Sequence, residues 1–161
     1  MPRNYLMLAV SPDNYDVTRE QGFTVQGMRG NQKRKVQRVE VGDRILFYLT
    51  GVQKFAATAT ATSTLFEEHT SLWGNHNPDE DFPWRIKIKP AVVLDEDQFI
   101  DARLIAPRMD YVKKWIPEMW PLAFVGDIHI IPKKDFFLLE EEMNKLAKTK
   151  KEESKSGASP A

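Results

Sequence analysis

The run Tyr5-Leu6-Met7-Leu8-Ala9-Val10, followed directly by Ser11-Pro12-Asp13-Asn14-Tyr15, decides how this chain folds. The apolar run reads as a strand. Ser11 is a natural helix N-cap, and Pro12 suits the first helical position, where its missing N–H would lack a partner in any case. Asp13 then stands in the first turn, where negative charge suits the helix dipole. The sequence therefore predicts a strand that ends at Val10 and a helix that begins at Pro12. Ser11 and Asn14 project from that junction, and strand ends commonly open onto ligand sites.

Outward from this junction, strands and helices alternate. Arg44-Ile45-Leu46-Phe47-Tyr48-Leu49 is apolar on both alternating faces. It reads as a central strand, or as one whose second face lines a pocket. Residues 55–63 alternate small side chains, with Phe55, Ala57, Ala59 and Ala61 on one face and Thr58, Thr60 and Thr62 on the other. A face of alanines leaves room for large neighbours, as inside a small, strongly curved barrel. Arg85-Ile86-Lys87-Ile88-Lys89 reads as a strand with one wet face, and residues 123–131 are the last strand candidate. Residues 135–146 carry Phe136, Leu139, Met143 and Leu146 at helical spacing. The fold class is mixed α/β, a small curved β-barrel with flanking α-helices in one domain over residues 1–147. Residues 148–161, rich in Lys, Glu, Ser and Gly, are expected to form a disordered charged tail.

Composition removes several classes of function. With no cysteine among 161 residues, disulfides, thiolate zinc sites and cysteine nucleophiles are excluded. A formal net charge of zero argues against coating nucleic acid through bulk positive charge, so any such binding must rest on a local patch and a pocket. No apolar stretch approaches the roughly 20 residues that span a bilayer. Met1-Pro2-Arg3-Asn4 has no signal-peptide pattern, and a cytoplasmic location with no membrane partner is the expectation.

Ser11 and Asn14 have two readings. They cap the helix, or they meet a planar ligand such as a nucleobase, whose edge an amide matches with both donor and acceptor atoms. His69, His76 and Asp79-Glu80-Asp81 fit no compact metal motif, and His129 lies in no triad pattern. No cofactor and no metal are expected, and nothing assembles a catalytic centre.

In order along the chain, several segments together resemble an EVE domain, a member of the PUA-like group that includes the YTH domains. They are the opening turn, Gly22-Phe23-Thr24-Val25-Gln26-Gly27, the stretch from Gly42-Asp43-Arg44 to Thr50-Gly51, and Val92-Val93-Leu94-Asp95-Glu96. Arg108 with Tyr111-Val112-Lys113-Lys114-Trp115, and Leu122-Ala123-Phe124, complete the set. The resemblance spans residues 4–143, with Tyr15 standing where many relatives carry Trp.

It implies a pocket beside the first turn, with Gln26 facing the same space as Ser11 and Asn14 and supplying a second amide. It also implies a non-catalytic reader that holds one base of DNA or RNA, favouring a chemically modified one. Stacking a base on an aromatic face contributes roughly 1–3 kcal/mol. Of the rings at Phe47, Tyr48, Phe82, Trp84, Trp115, Trp120 and Phe124, the pocket is expected to use Phe47, Tyr48, Trp84 and Phe124. Tyr48 and Trp84 are preferred, because the first ends a strand and the second stands where a polar loop enters one. Arg29, Lys33, Arg34, Lys35 and Arg38 form the dense basic stretch of the folded region. Arg29, Lys33, Arg34 and Arg38 are the expected phosphate contacts on the rim, the other reading being a solvated face. A small-molecule or nucleotide sensor, and an enzyme acting on a nucleotide-like substrate, are the alternatives.

Overall fold

The computed structural model describes residues 4–70, 72–73, 81–113 and 117–157. Strand β1 (Tyr5–Val10) leads into helix α1 (Pro12–Glu20), as the opening sequence requires. Then follow β2 (Val25–Met28), the short α2 (Lys33–Val36), β3 (Arg44–Leu49), β4 (Lys54–Ala61) and β5 (Phe66–Glu67). After these come β6 (Trp84–Val93), β7 (Ile100–Asp101), α3 (Ala102–Ile105), β8 (Ile128–Ile130) and the long α4 (Lys133–Gly157).

β1 and β3 pair in parallel, the other described pairings are antiparallel, and the main sheet runs β2-β6-β4-β3-β1-β8. It curves strongly into a half-barrel, with β2 and β8 at the ends of that order. β3 lies between β1 and β4, with Ile45 and Phe47 in one core and Leu46 and Tyr48 in the other, which explains why both of its faces are apolar. One face of the sheet buries Leu6, Leu8, Ile45, Phe47 and Ile86 together with Tyr15 and Phe23. Tyr15 touches Phe23, Phe47 and Phe99 edge-on, with ring centroids 5.6, 5.9 and 6.0 Å away, so this ring is a core element. The opposite face buries Met7, Leu46, Tyr48 and Phe55 against Phe136, Leu139 and Met143 of α4. Arg44 and the hydroxyl of Thr58 both bind Glu140, which fastens α4 to the sheet.

Four sequence expectations are corrected by tertiary packing. Tyr48 pairs with Phe55 whereas Phe47 pairs with Ala57, so Ala56 is an extra residue in β4. This bulge turns Phe55 to the α4 face and leaves Ala57, Ala59 and Ala61 on the other. Arg85 is not on a wet face: its side chain is 1% exposed. Its Nε donates to the Phe82 carbonyl at 3.1 Å, another of its N–H groups donates to the Thr70 carbonyl, and the guanidinium lies 5.0 Å from the Trp73 ring. Residues 123–131 are not one strand. Pro117–Phe124 form 3-10 turns, and Gly126, at a φ of 107°, separates them from the three-residue β8. Finally, α4 continues through Gly157, past Lys148, where composition led us to expect disorder. Lys, Glu and Ala are good helix formers and extend a helix already anchored by its buried first turns. Residues 158–161 lie outside the described residues.

Candidate functional site

The carboxyl ends of the parallel pair β1 and β3 open onto a cavity of about 130 Å³. The Thr50 amide donates to the Val10 carbonyl at 2.8 Å, which holds the two strand ends together. The Ala9 amide donates to the Asp127 carbonyl at 2.9 Å and brings the approach to β8 alongside.

Ser11, Asn14 and Gln26 meet in the lining of this cavity. The Ser11 hydroxyl also caps α1, accepting from the Asn14 amide at 3.2 Å. Gln26 is 1% exposed, and its amide is oriented from behind. The indole N–H of Trp73 donates to Thr18 Oγ1 at 3.0 Å, and the Thr18 hydroxyl donates to Gln26 Oε1 at 2.6 Å. Gln26 Nε2 donates to the Gly27 carbonyl at 2.9 Å, a partner that can only accept and so identifies the amide's NH₂ end. Gly27 has no room for a side chain: a Cβ there would lie 2.5 Å from the Trp73 ring and 3.2 Å from the Phe82 carbonyl.

The aromatic wall is Phe82. Arg29 stands across from it, its guanidinium 5.9 Å from the ring centroid and its Nε 3.2 Å from Asp127 Oδ2. That ion pair joins the end of β2 to the approach of β8, across the two ends of the sheet.

Phe47, Tyr48, Trp84 and Phe124 do not line this cavity. Neighbours on a strand point to opposite faces, so Phe47 and Tyr48 enter different cores. Phe124 packs on Tyr48, with centroids 4.9 Å apart, beneath α4. Burial pushes the Tyr48 hydroxyl up to about 12. Trp84 is half-buried outside the cavity, its indole N–H donating to the Gly30 carbonyl at 2.8 Å and its ring 4.8 Å from Lys33 Nζ. Trp115 lies outside the described residues.

Of the basic stretch, Arg29 reaches the cavity and Lys33 lies on Trp84. Arg34 is exposed, and Lys35 and Arg38 belong to a second cavity. Among the described residues, no carboxylate pairs with Lys33, Arg34, Lys35 or Arg38. His69 is bound on both ring nitrogens, Nδ1 2.6 Å from Asp81 and Nε2 3.1 Å from Glu67. His76, Asp79 and Glu80 lie outside the described residues.

Sequence reasoning missed Thr18, Trp73 and Asp127, passed over Phe82 among the rings it weighed, and gave Gly27 no role beyond its place in the family segment. Thr18 was accessible, since it lies four residues after Asn14 on the same helix face. Trp73 and Asp127 arrive from distant segments and carry no local signal.

Residues 4–112 match the EVE domain family. The chain belongs to this family. This EVE domain is 24% identical over 146 residues to a UPF0310 protein of Pyrococcus abyssi (strain GE5 / Orsay), covering 85% of this chain and 97% of that protein. Its fold is shared with YTH domains. The Mmi1 YTH domain in complex with RNA matches with a TM-score of 0.61 at 8% identity, over 92% of this chain and 82% of that one. The Pho92 YTH domain in complex with m6A matches at 0.60 and 15%, over 88% and 83%. The YTH domain of the Zygosaccharomyces rouxii MRB1 protein, in complex with N6-methyladenosine RNA, matches at 0.58 and 17%, over 86% and 85%.

Proposed function

We propose that this EVE domain binds nucleic acid without catalysing a reaction on it, and that the cavity at the end of β1 holds one base, preferentially a modified one. The observation that carries this reading is the buried Gln26 amide, oriented by Thr18 and Gly27 beside Asn14 in a cavity walled by Phe82. An amide has two N–H groups, and the bond to Gly27 uses one, which leaves a donor for a base edge. The cavity, about 130 Å³, is close in size to an engineered apolar cavity of about 150 Å³ that takes one benzene ring. An added methyl in an apolar pocket contributes about 1–3 kcal/mol of discrimination, which suits a reader. Lys33, Arg34 and Arg38, which have no carboxylate partner among the described residues, supply backbone contacts, with Arg29 at the cavity mouth. The YTH complexes, which hold RNA and m6A, support the same ligand class.

The test is titration of modified and unmodified nucleosides, and of short RNA and DNA oligonucleotides carrying them, at several salt concentrations. Oligonucleotide affinity should fall with salt by a slope of about −0.7 to −0.9 per phosphate contact, while nucleoside affinity holds. An oligonucleotide that binds no better than its nucleoside at low salt overturns the reading in favour of a small-molecule sensor.

A further inference from the structure

A second cavity, of about 280 Å³, opens along β8, directly after the Gly126 and Asp127 that line the first. Its apolar lining comes from Leu6, Val39 and Ile128, and its aromatic side from Tyr111 and His129. Lys35 and Arg38 bring two cations to it from α2 and the turn that follows.

The aromatic side is built rigidly. The buried carboxylate of Asp135 accepts from the backbone amides of Asp110 and Tyr111, at 2.8 and 2.7 Å. Tyr111 thereby points its hydroxyl at His129 Nδ1, 2.7 Å away, while Nε2–H donates to the Gly126 carbonyl at 3.1 Å. Both nitrogens of the imidazole are thus engaged, and the ring is held in place as a surface. Tyr111 also lies parallel to Phe124, with 7° between the rings.

The cations are held differently. Lys35 Nζ donates to the Ile128 carbonyl at 3.3 Å, which uses one of its three N–H groups at the cavity. Among the described residues, neither Lys35 nor Arg38 has a carboxylate partner. An apolar cleft with a few convergent polar groups is the usual form of a ligand site. Here the chemistry is specific: rings and aliphatic groups for a planar body, and two uncompensated cations for an anion attached to it.

We propose that this second cavity is a nucleotide site, taking a base against Tyr111 and His129 and its phosphate on Lys35 and Arg38. The basic stretch favours this over other amphiphilic anions. It runs from Arg29 at the first cavity to Arg38 at the second, so a strand read at one is led to the other. The proposal rests on the function proposed above only for the class of ligand, since the cavity, its walls and its cations are separate from the Gln26 pocket.

The experiment follows the ring signals of His129 and Tyr111 by NMR in the full chain. Adenosine, adenosine 5′-monophosphate, inorganic phosphate, decanoate and an unmodified ten-nucleotide RNA are titrated in turn. The monophosphate and the RNA should both shift the two rings in the wild type, and the monophosphate should shift them equally in Asn14→Ala, which alters only the first cavity. Arg38→Gln, at an exposed position, should weaken the monophosphate about tenfold by removing a charge-assisted bond, and adenosine should bind about tenfold more weakly than its monophosphate. Ile130→Glu, which sets a carboxylate at a residue 58% exposed on the cavity edge, should weaken it by a similar factor. Unshifted rings with the monophosphate overturn the site. Inorganic phosphate acting as strongly reduces it to an anion patch, and tighter binding of decanoate assigns it to aliphatic anions; both overturn the nucleotide proposal. If modified nucleosides leave the Asn14 amide unmoved while the monophosphate shifts His129, the first-cavity reading falls and this one stands.

Discussion

The Thr18 hydroxyl donates to the side-chain oxygen of Gln26 across 2.6 Å, in the interior and on the far side of that amide from its bond to Gly27. The same oxygen of Thr18 accepts from Trp73. Helix α1, strand β2 and the loop ahead of β6 are therefore joined at one hydroxyl, and the edge that Gln26 shows to the cavity depends on it. A buried amide left without this partner bears the full cost of its desolvation.

Thr18→Val keeps the shape and removes both bonds. We expect a loss of about 1–3 kcal/mol, which for a chain of this size lowers Tm by roughly 2–4 °C per kcal/mol. Affinity for the base should fall with it, and Thr18→Ser should restore both. Thermal unfolding alongside nucleoside titration checks this. A Thr18→Val protein with unchanged affinity would show that Gln26 is held without its help.

Gly27→Ala tests the closeness of Trp73. The new methyl would meet the ring at 2.5 Å, so the indole must move. Overpacking of this kind costs about 1–3 kcal/mol, and it should also break the Trp73–Thr18 bond. A red-shifted tryptophan emission and a lower denaturation midpoint are the expected readouts.

Trp84→Ala should separate backbone binding from base binding. Trp84 holds Gly30 and lies against Lys33, so its loss loosens the turn that carries the cations. Being half-buried, it should cost less than the roughly 3–5 kcal/mol of a fully buried Trp. Oligonucleotide affinity should drop while nucleoside affinity stays within about twofold, since distant sites act nearly independently. Loss of nucleoside binding by a folded variant would place this ring in the pocket after all.

The two described histidines should titrate in opposite directions. Hydrogen bonds that the His69 ring donates to Asp81, and then to Glu67, raise it above its ordinary 6.5, whereas burial lowers His129 below that value. For His69, the stabilising contribution is complete below 6.5 and is lost as pH rises through the folded value. For His129, the unfolded chain takes a proton that the folded chain refuses, so stability falls as pH drops below 6.5 toward the folded value. NMR titration of the two Cε1–H signals reads this directly. Asp81→Asn should lower His69 alone, and two coincident titrations near 6.5 would refute the assignment.

Much of the first hundred residues was legible because its determinants are local. The cap that starts α1 is a bond between Ser11 and Asn14, three residues apart, and the apolar faces of β3 are visible as an uninterrupted run. That Ser11 and Asn14 stand at the end of β1 was legible for the same reason, whereas Gln26 beside them in the cavity lining was implied only by the resemblance to the family. The pocket's aromatic side was not legible. Which ring reaches the cavity depends on long-range register, and one extra residue at Ala56 is enough to send Phe55 to the face of Tyr48 and away from Phe47. Phe82, Trp73 and Asp127 come from segments distant in sequence, and only the closing of the curved sheet brings them to Gln26 and Arg29. Arg85 alternates with isoleucines like its exposed neighbours Lys87 and Lys89, yet carbonyls at residues 70 and 82 converge to bury it. Hydrogen bonds between near neighbours and the period of side chains along a strand are properties of the chain itself. The partners of a buried polar group belong to the packed whole.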